Sequence, residues 1–227
     1  MGLWLCPSMM CADFGNMERE ITCLDACGVD YYHLDVMDGN FVRNFGMGMQ
    51  DIEFISRKTT AKTEVHLMIC EPLNFVDRFI EIGVDRIFIH PESTYHPARI
   101  LQEISAKGAE SGLVIGPDTS VESTYELLKV ADTVLVMMVH PGFAGQGYLS
   151  FVEDKIDKLL ELKAHCGFEI VLDGACSYEV IKRYYAKGVK GFVLGTAGLF
   201  FKQNRQPYKN TIARLRELEN TANERPE

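Results

Sequence analysis

The sequence predicts a single (β/α)8 barrel, a TIM barrel, and three features of the chain lead to this prediction. Short apolar segments typical of strands alternate with amphipathic segments of helical periodicity from one end of the chain to the other. Eight such pairs can be counted, which suits a closed barrel better than an open sheet. No Gly-x-Gly-x-x-Gly follows the first strand, and no Pro-, Gly- or Ser-rich linker divides the chain, so we expect one domain over residues 1–227.

The predicted strands are short, as is usual for strands buried on both faces of a parallel sheet. They cover residues 3–6, 31–37, 63–69, 86–90, 111–115, 133–138, 169–173 and 191–195. The predicted helices cover residues 17–27, 49–58, 72–82, 97–107, 121–128, 153–165, 178–187 and 208–220. A glycine follows five of these helices, at the place where a left-handed residue commonly ends a helix: Gly28, Gly83, Gly108, Gly167 and Gly188.

Composition and charge narrow the class of protein. Of 227 residues 47% are hydrophobic and 24% charged, as in ordinary folded domains, and the net charge of −9 opposes binding to nucleic acid. Apolar runs are too short for a membrane span and the N-terminus resembles no signal peptide, so we expect a cytoplasmic protein without a membrane partner. Seven cysteines without a Cys-x-x-Cys pair favour neither a disulfide framework nor a thiolate zinc site. Phe200 and Phe201, predicted to be exposed, would suit contacts in a homo-oligomer.

Ionisable residues lie at the carboxyl ends of three predicted strands, where TIM barrels carry their chemistry. His33 and Asp35 share one face of the second strand because side chains alternate along a strand. His66 lies in the third strand, and Asp173 ends the seventh. Two imidazoles and two carboxylates suit one divalent metal ion: Zn²⁺, or else Mn²⁺, Fe²⁺ or Co²⁺. Singly, each could instead be a core histidine or a loop-capping aspartate, but burial of all four together calls for a cation.

Methionines are expected beside this site. Met37 and Met68 lie on the same strand faces as the histidines, and Met137 or Met138 ends the sixth strand. These residues form either an apolar wall around the metal or ordinary core, because methionine serves both purposes.

Glycine-rich turns after the last three strands predict a phosphate site built from backbone N–H groups. The loops after strands 7 and 8 are the recurrent phosphate site of TIM barrels, and they need no Lys or Arg. The candidate binding residues are Gly142, Phe143, Ala144, Gly145, Gly174, Ala175, Gly195 and Thr196. The loop over residues 141–147 is also long enough to close over the site as a lid.

The motifs resemble those of the ribulose-phosphate 3-epimerase family over essentially the whole chain. The matching stretches are Cys6-Pro7-Ser8, HLDVMDGNFV at 33–42, His66-Leu67-Met68, PGFAGQ at 141–146, VLDG at 171–174 and Gly195-Thr196. The resemblance implies a metal-dependent isomerase that inverts C3 of a ketose phosphate through an enediolate. It implies that the four predicted ligands hold the metal and that Asp35 and Asp173 are the catalytic acid–base pair. It also implies that Ser8 and His66 contact the substrate.

The motif detail bears on the substrate. PGFAGQ, DGAC and GTAGLF are closer to the D-allulose-6-phosphate 3-epimerase branch, so the expected reaction is D-allulose 6-phosphate ⇌ D-fructose 6-phosphate. The alternative is D-ribulose 5-phosphate ⇌ D-xylulose 5-phosphate. Arg43, Met138, His140 and Ala175-Cys176 depart from the commonest family pattern. Arg43 and His140 have no assigned role, and His140 is expected to lie outside the metal ligands.

Two other interpretations remain at the level of sequence. The first is a different phosphosugar barrel, such as a decarboxylase or isomerase, which usually needs an inward lysine that no predicted strand end offers. The second is a non-catalytic barrel that binds a phosphosugar or a metal ion.

Overall fold

The structure, a computed structural model, describes residues 2–201 and 207–223. The strands are β1 Trp4–Pro7, β2 Tyr31–Met37, β3 Lys62–Met68, β4 Arg86–Ile89, β5 Glu110–Ile115, β6 Thr133–Met137, β7 Glu169–Asp173 and β8 Gly191–Leu194. All neighbouring strands pair in parallel, in the order β1-β8-β7-β6-β5-β4-β3-β2. A bridge between Ser8 and His33 joins the two ends of this order, so the sheet is a nearly closed barrel. The predicted TIM barrel is confirmed.

A helix follows each strand. The helices are α1 Met17–Asp25, α2 Met49–Lys58, α3 Leu73–Ile82, α4 Pro97–Ala106, α5 Tyr125–Leu128, α6 Glu153–Cys166, α7 Tyr178–Tyr185 and α8 Tyr208–Asn223. All five glycines predicted to end helices have positive φ angles. The helix predicted over 121–128 is wrong in extent, because a 3-10 turn at Glu122–Thr124 replaces its first half. In the described ranges, we find no helix with the length and apolarity to cross a membrane.

Side chains alternate along the strands between the inside of the barrel and the layer of helices. In β6, Leu135 and Met137 belong to the interior cluster, whereas Val134 and Val136 pack in the cluster that includes the helices. Met138 belongs to that outer cluster as well. The alternation therefore selects Met137 for the interior and excludes Met138.

Phe200 and Phe201 are half-buried rather than exposed. Phe200 packs against the hydrophobic core, and its ring meets the edge of Tyr208 at 5.5 Å between centroids. The expectation of exposed phenylalanines is therefore wrong, because Tyr208 at the start of α8 packs against Phe200.

Candidate active site

The four predicted metal ligands converge at the carboxyl end of the barrel, with one donor atom from each within 4.8 Å of all the others. His33 Nε2 lies 3.4 Å from Asp35 Oδ1 and 3.7 Å from Asp173 Oδ2. His66 Nδ1 lies at the same distances from the same two oxygens. Tetrahedral ligands about 2.1 Å from a metal ion lie about 3.4 Å from one another. We call these four residues the donor cluster, and its imidazole–carboxylate distances of 3.4–3.7 Å match such a site.

The imidazoles of the donor cluster leave two nitrogens unsatisfied. Within the described residues, His33 Nε2 and His66 Nδ1 are buried and have no hydrogen-bond partner. Such atoms are rare in folded proteins because each loses its interaction with water. A cation between the four donors would satisfy both nitrogens and balance the two carboxylates. The residues therefore fit a divalent metal ion.

Burial and neighbouring charges change the acidity of the donor cluster. Burial raises the pKa of Asp173, and the carboxylate of Asp35 raises it further. Burial would also raise the pKa of Asp35, but the two imidazoles outweigh it and hold this pKa well below its usual range. Burial opposes the charged form of His33, yet the carboxylates of Asp35 and Glu64 raise its pKa well above the ordinary value. The carboxylates thus favour a positive charge within the donor cluster. A metal ion would supply this charge in place of a proton on His33.

Backbone and side-chain contacts orient Asp35. Ser8 Oγ, just after β1, donates a 2.7 Å hydrogen bond to Asp35 Oδ2, which leaves Oδ1 to face the imidazoles. The loop that follows β2 returns to the strand, and Met47 N donates to the backbone oxygen of Asp35 at 2.8 Å. Asp35 is therefore fixed at both its carboxylate and its main chain.

On its other ring nitrogen, each histidine of the donor cluster has a buried hydrogen-bond partner that the sequence analysis missed. His33 Nδ1 lies 2.8 Å from Glu64 Oε1, and His66 Nε2 lies 2.9 Å from His90 Nε2. A signal for Glu64 was present, since it shares a strand face with His66. His90 directly follows β4, where residues of TIM barrels commonly face the active site.

A cavity opens beside the donor cluster and brings together residues from six loops and strand ends. The predicted binding residues on its wall are Ser8, Gly142, Phe143, Ala144, Gly145, Gly174, Ala175, Gly195 and Thr196. Asp35 and Asp173 also line it, as do the predicted apolar residues Met37, Met68 and Met137. His66 is fully buried in the donor cluster. The wall also includes residues that the sequence analysis did not single out, namely Met10, Cys11, Val139 and Val193.

The cavity wall is acidic. Asp35 and Asp173 line it, whereas no Lys or Arg does so among the described residues. His140 lines the cavity but is exposed and lies outside the donor cluster, as expected. Arg43 is exposed on the loop after β2. Burial raises the pKa of the Cys11 thiol to about 11, so Cys11 remains a neutral thiol at pH 7.

Hydrogen bonds shape the loop after β6 over this cavity. Gln146 Nε2 donates to the backbone oxygens of His140 and Phe143, at 2.6 and 2.8 Å. Asn44 Nδ2, from the loop after β2, donates to Gly142 O at 2.7 Å. The two loops therefore meet at the mouth of the cavity.

The parallel barrel, with a cluster of ionisable groups and a cavity at the carboxyl ends of its strands, defines a TIM-barrel enzyme. The model of the ribulose-phosphate 3 epimerase family matches residues 4–200. The chain therefore belongs to the ribulose-phosphate 3-epimerase family. It is an epimerase and so an isomerase, which sets aside the non-catalytic interpretation.

Curated relatives extend over most of the chain. A protein of Treponema pallidum (strain Nichols) is 33% identical over 195 residues, 85% of this chain and 89% of its own. One of Chlamydia trachomatis is 32% identical over 228 residues, with 97% and 96% covered. One of Rhodobacter capsulatus is 36% identical over 196 residues, with 86% and 85% covered. All three are named ribulose-phosphate 3-epimerase, so they favour the alternative substrate over the expected allulose 6-phosphate.

Solved structures of low identity share the fold. The 3-hexulose-6-phosphate synthase from Salmonella typhimurium superposes with a TM-score of 0.69 at 14% identity, covering 98% of this chain and 100% of that one. KGPDC from Streptococcus mutans gives 0.66 at 13% identity, covering 95% of this chain and 99% of that one. At this identity the likeness concerns the barrel alone.

Proposed function

We propose that this protein interconverts D-ribulose 5-phosphate and D-xylulose 5-phosphate by inverting C3 in a metal-dependent reaction. The observation that carries the proposal is the donor cluster, in which Asp35 and Asp173 approach the same two imidazole nitrogens within 3.4–3.7 Å. The curated relatives support the choice of a pentose phosphate. The expected hexose phosphate rests on motif detail alone.

The metal ligands in this proposal are His33 Nε2, His66 Nδ1 and one oxygen each of Asp35 and Asp173. A mixed nitrogen and oxygen set suits Zn²⁺, and also Mn²⁺, Fe²⁺ or Co²⁺. A divalent ion bound there would supply Lewis-acid stabilisation of the negative charge that develops on the substrate oxygens. The unpartnered nitrogens support this assignment, because both face the same small volume.

The two carboxylates transfer the proton. Inversion removes the C3 proton from one face of the substrate and returns a proton to the other, which requires two groups. Asp35 comes from β2 and Asp173 from β7, and both line the cavity in which the sugar would lie. Each carboxylate acts as the base in one direction of the reaction and as the acid in the other. Because the reaction only removes and returns a proton, it needs no redox cofactor. Ser8 Oγ binds Asp35 Oδ2 and fixes the orientation of this carboxylate at the edge of the cavity.

Backbone N–H groups bind the phosphate. The candidate loops are residues 142–145, 174–175 and 195–196, all on the wall of the cavity. Since the described part of this wall carries no Lys or Arg, the peptide dipoles are the available positive groups. Met37, Met68 and Met137 exclude water from the side of the cavity next to the donor cluster.

The test is a comparison of kcat/KM for D-ribulose 5-phosphate and D-allulose 6-phosphate, with the protein loaded in turn with Zn²⁺, Mn²⁺, Fe²⁺ and Co²⁺. The two substrates differ by one carbon between the reacting centre and the phosphate, so the cavity should discriminate between them. We expect the larger kcat/KM for the pentose phosphate. A larger value for the hexose phosphate would establish the alternative, and absence of epimerisation with every metal would reject the reaction.

A further inference from the structure

A row of four ionisable residues crosses the inside of the barrel at one register position. His33 lies beside Glu64, Glu64 beside Arg86, and Arg86 beside Glu110, across the strands β2 to β5. Glu64 Oε1 lies 2.8 Å from His33 Nδ1, and Arg86 Nη1 donates to Glu64 Oε2 at 2.7 Å. Arg86 Nε donates to Glu110 Oε2 at 2.9 Å. The row therefore links the donor cluster to the amino ends of β4 and β5.

The central ion pair of this row has no contact with solvent. Glu64 and Arg86 are both fully buried. Arg86 is well accommodated, because Nη2 donates to Tyr31 Oη at 2.8 Å and the ring of Tyr31 lies 4.1 Å from the guanidinium carbon. Yet a buried ion pair is commonly no more stabilising than apolar side chains of similar volume. The need to fill the core therefore does not explain why an ion pair is buried at this position. The contact of Glu64 with His33 does explain it.

The Glu64 carboxylate decides which nitrogen of His33 carries the proton. Arg86 Nη1 can only donate and binds Glu64 Oε2, so the Glu64 carboxylate presents Oε1 to His33 Nδ1 as a hydrogen-bond acceptor. His33 Nδ1 must then be the protonated nitrogen. In the neutral, metal-binding form of His33 the lone pair is therefore on Nε2, the atom that faces the donor cluster without a hydrogen-bond partner. A free lone pair is what coordination of a metal ion requires.

We propose that Glu64, paired with Arg86, is a positioning residue that holds His33 in the tautomer able to bind the metal ion. This inference rests on the proposed metal-dependent function. Partners of this kind typically change metal affinity by about 10–100-fold, and we expect the same for Glu64. Glu110 touches Arg86 from the side away from His33 and is partly exposed, so it contributes to packing and not to the tautomer.

Glu64→Gln tests this directly, since an amide of the same shape offers one acceptor and one donor. Arg86 can only donate, so it binds the amide oxygen and turns the amide NH₂ toward His33 Nδ1. The His33 proton then moves to Nε2, where it opposes metal binding. We expect the affinity for Zn²⁺, measured by competition with a chromophoric chelator, to fall about 10–100-fold.

The double variant Glu64→Gln/Arg86→Met distinguishes positioning from a merely structural role. Without Arg86 the amide is free to turn its oxygen to His33 Nδ1, so the double variant should bind Zn²⁺ more tightly than Glu64→Gln. It should still bind more weakly than the wild type, because a neutral amide is a weaker acceptor than a carboxylate. A structural role predicts that removing a second buried residue brings no recovery.

Glu110→Gln is the matched control, with wild-type affinity expected, and circular dichroism verifies the fold of each variant. Glu64→Gln with wild-type affinity, or an equal loss in Glu110→Gln, would overturn the proposal. Should Glu64→Gln not fold, the affinity of the double variant for Zn²⁺ is compared with that of the wild type and of Glu110→Gln. Equal affinity of all three proteins would overturn the proposal. Failure of the wild type to bind Zn²⁺ would instead contradict the proposed function itself.

Discussion

His66 and His90 share a hydrogen bond between their Nε2 atoms, 2.9 Å apart in the interior of the barrel. Because His66 Nδ1 faces the donor cluster, His66 Nε2 carries the proton. His66 Nε2 therefore donates the hydrogen bond, and His90 Nε2 accepts it. Burial lowers the pKa of His90 to about 4, so His90 is neutral at pH 7 and able to accept. A neutral acceptor thus orients His66, whereas a carboxylate orients His33.

Replacement of His90 by phenylalanine should weaken metal binding without unfolding the barrel. The His90→Phe variant keeps a buried ring but removes the acceptor, so His66 Nε2 loses its partner and the ring its fixed tautomer. We expect the affinity for Zn²⁺, measured by chelator competition, to fall roughly tenfold. Phe41→Leu is the control, since the Phe41 ring touches His90 at 4.8 Å but forms no part of the hydrogen bond. Wild-type affinity in His90→Phe would show that His66 needs no acceptor.

Asparagine at position 173 should separate proton removal from inversion. An amide cannot exchange a proton with C3, so Asp173→Asn should lower kcat for epimerisation by about 10²–10⁴-fold. Asp35 remains and can still remove a proton from one face of the sugar. In D₂O, proton NMR should therefore show exchange at C3 of one epimer without conversion to the other, and Asp35→Asn should exchange the opposite epimer. An Asp173→Asn protein of wild-type kcat, or exchange of both epimers, would refute the two-carboxylate mechanism.

Removal of divalent metal should abolish activity and lower the melting temperature. Without a metal ion, the buried carboxylate of Asp35 and the partly buried carboxylate of Asp173 lose a doubly charged counter-ion. A ligand at about 100 times its Kd stabilises a protein by about 2.7 kcal/mol. For a domain of this size that corresponds to roughly 5–10 °C. Scanning calorimetry before and after dialysis against a chelator measures the shift.

The same experiment has a selective control. Re-addition of Zn²⁺ or Mn²⁺ should restore both activity and melting temperature, whereas Ca²⁺ should not, because it prefers oxygen ligands and the donor cluster contains two imidazoles. Activity that survives complete removal of metal, verified by elemental analysis, would refute the metal requirement.

The strands could be predicted within one residue at each end because buried parallel strands are apolar runs bounded by turn residues. Strand parity also placed His33 and Asp35 on one face, and the rule for the carboxyl ends of barrel strands brought in Asp173. Whether Met137 or Met138 faces the interior could not be decided, since β6 is apolar on both faces and the sequence does not show which face lies inside the barrel. A shift of one residue exchanges the two faces of a strand.

The network behind the donor cluster could not be predicted, because it depends on register between strands. Glu64 and Arg86 lie near the beginnings of β3 and β4, where charged residues usually face solvent. Only the pairing of β2 with β3 and of β3 with β4 brings Glu64 beside both His33 and Arg86. A single sequence contains the parity of each strand but not this alignment.

A methyl group at position 46 should disturb Asp35 from the backbone side. A Cβ at Gly46 would lie 2.8 Å from Met37 N and would also collide with the backbone oxygen of Asp35. Because this close approach involves backbone atoms, the loop or the end of β2 must move. We expect Gly46→Ala to lower stability by about 1–3 kcal/mol in urea denaturation and kcat by roughly 100-fold. Gly48→Ala is the control on the same loop, where the nearest atom, Asp51 Oδ2, lies at an ordinary 3.6 Å. Equal effects of the two substitutions on kcat would mean that the loop does not position Asp35.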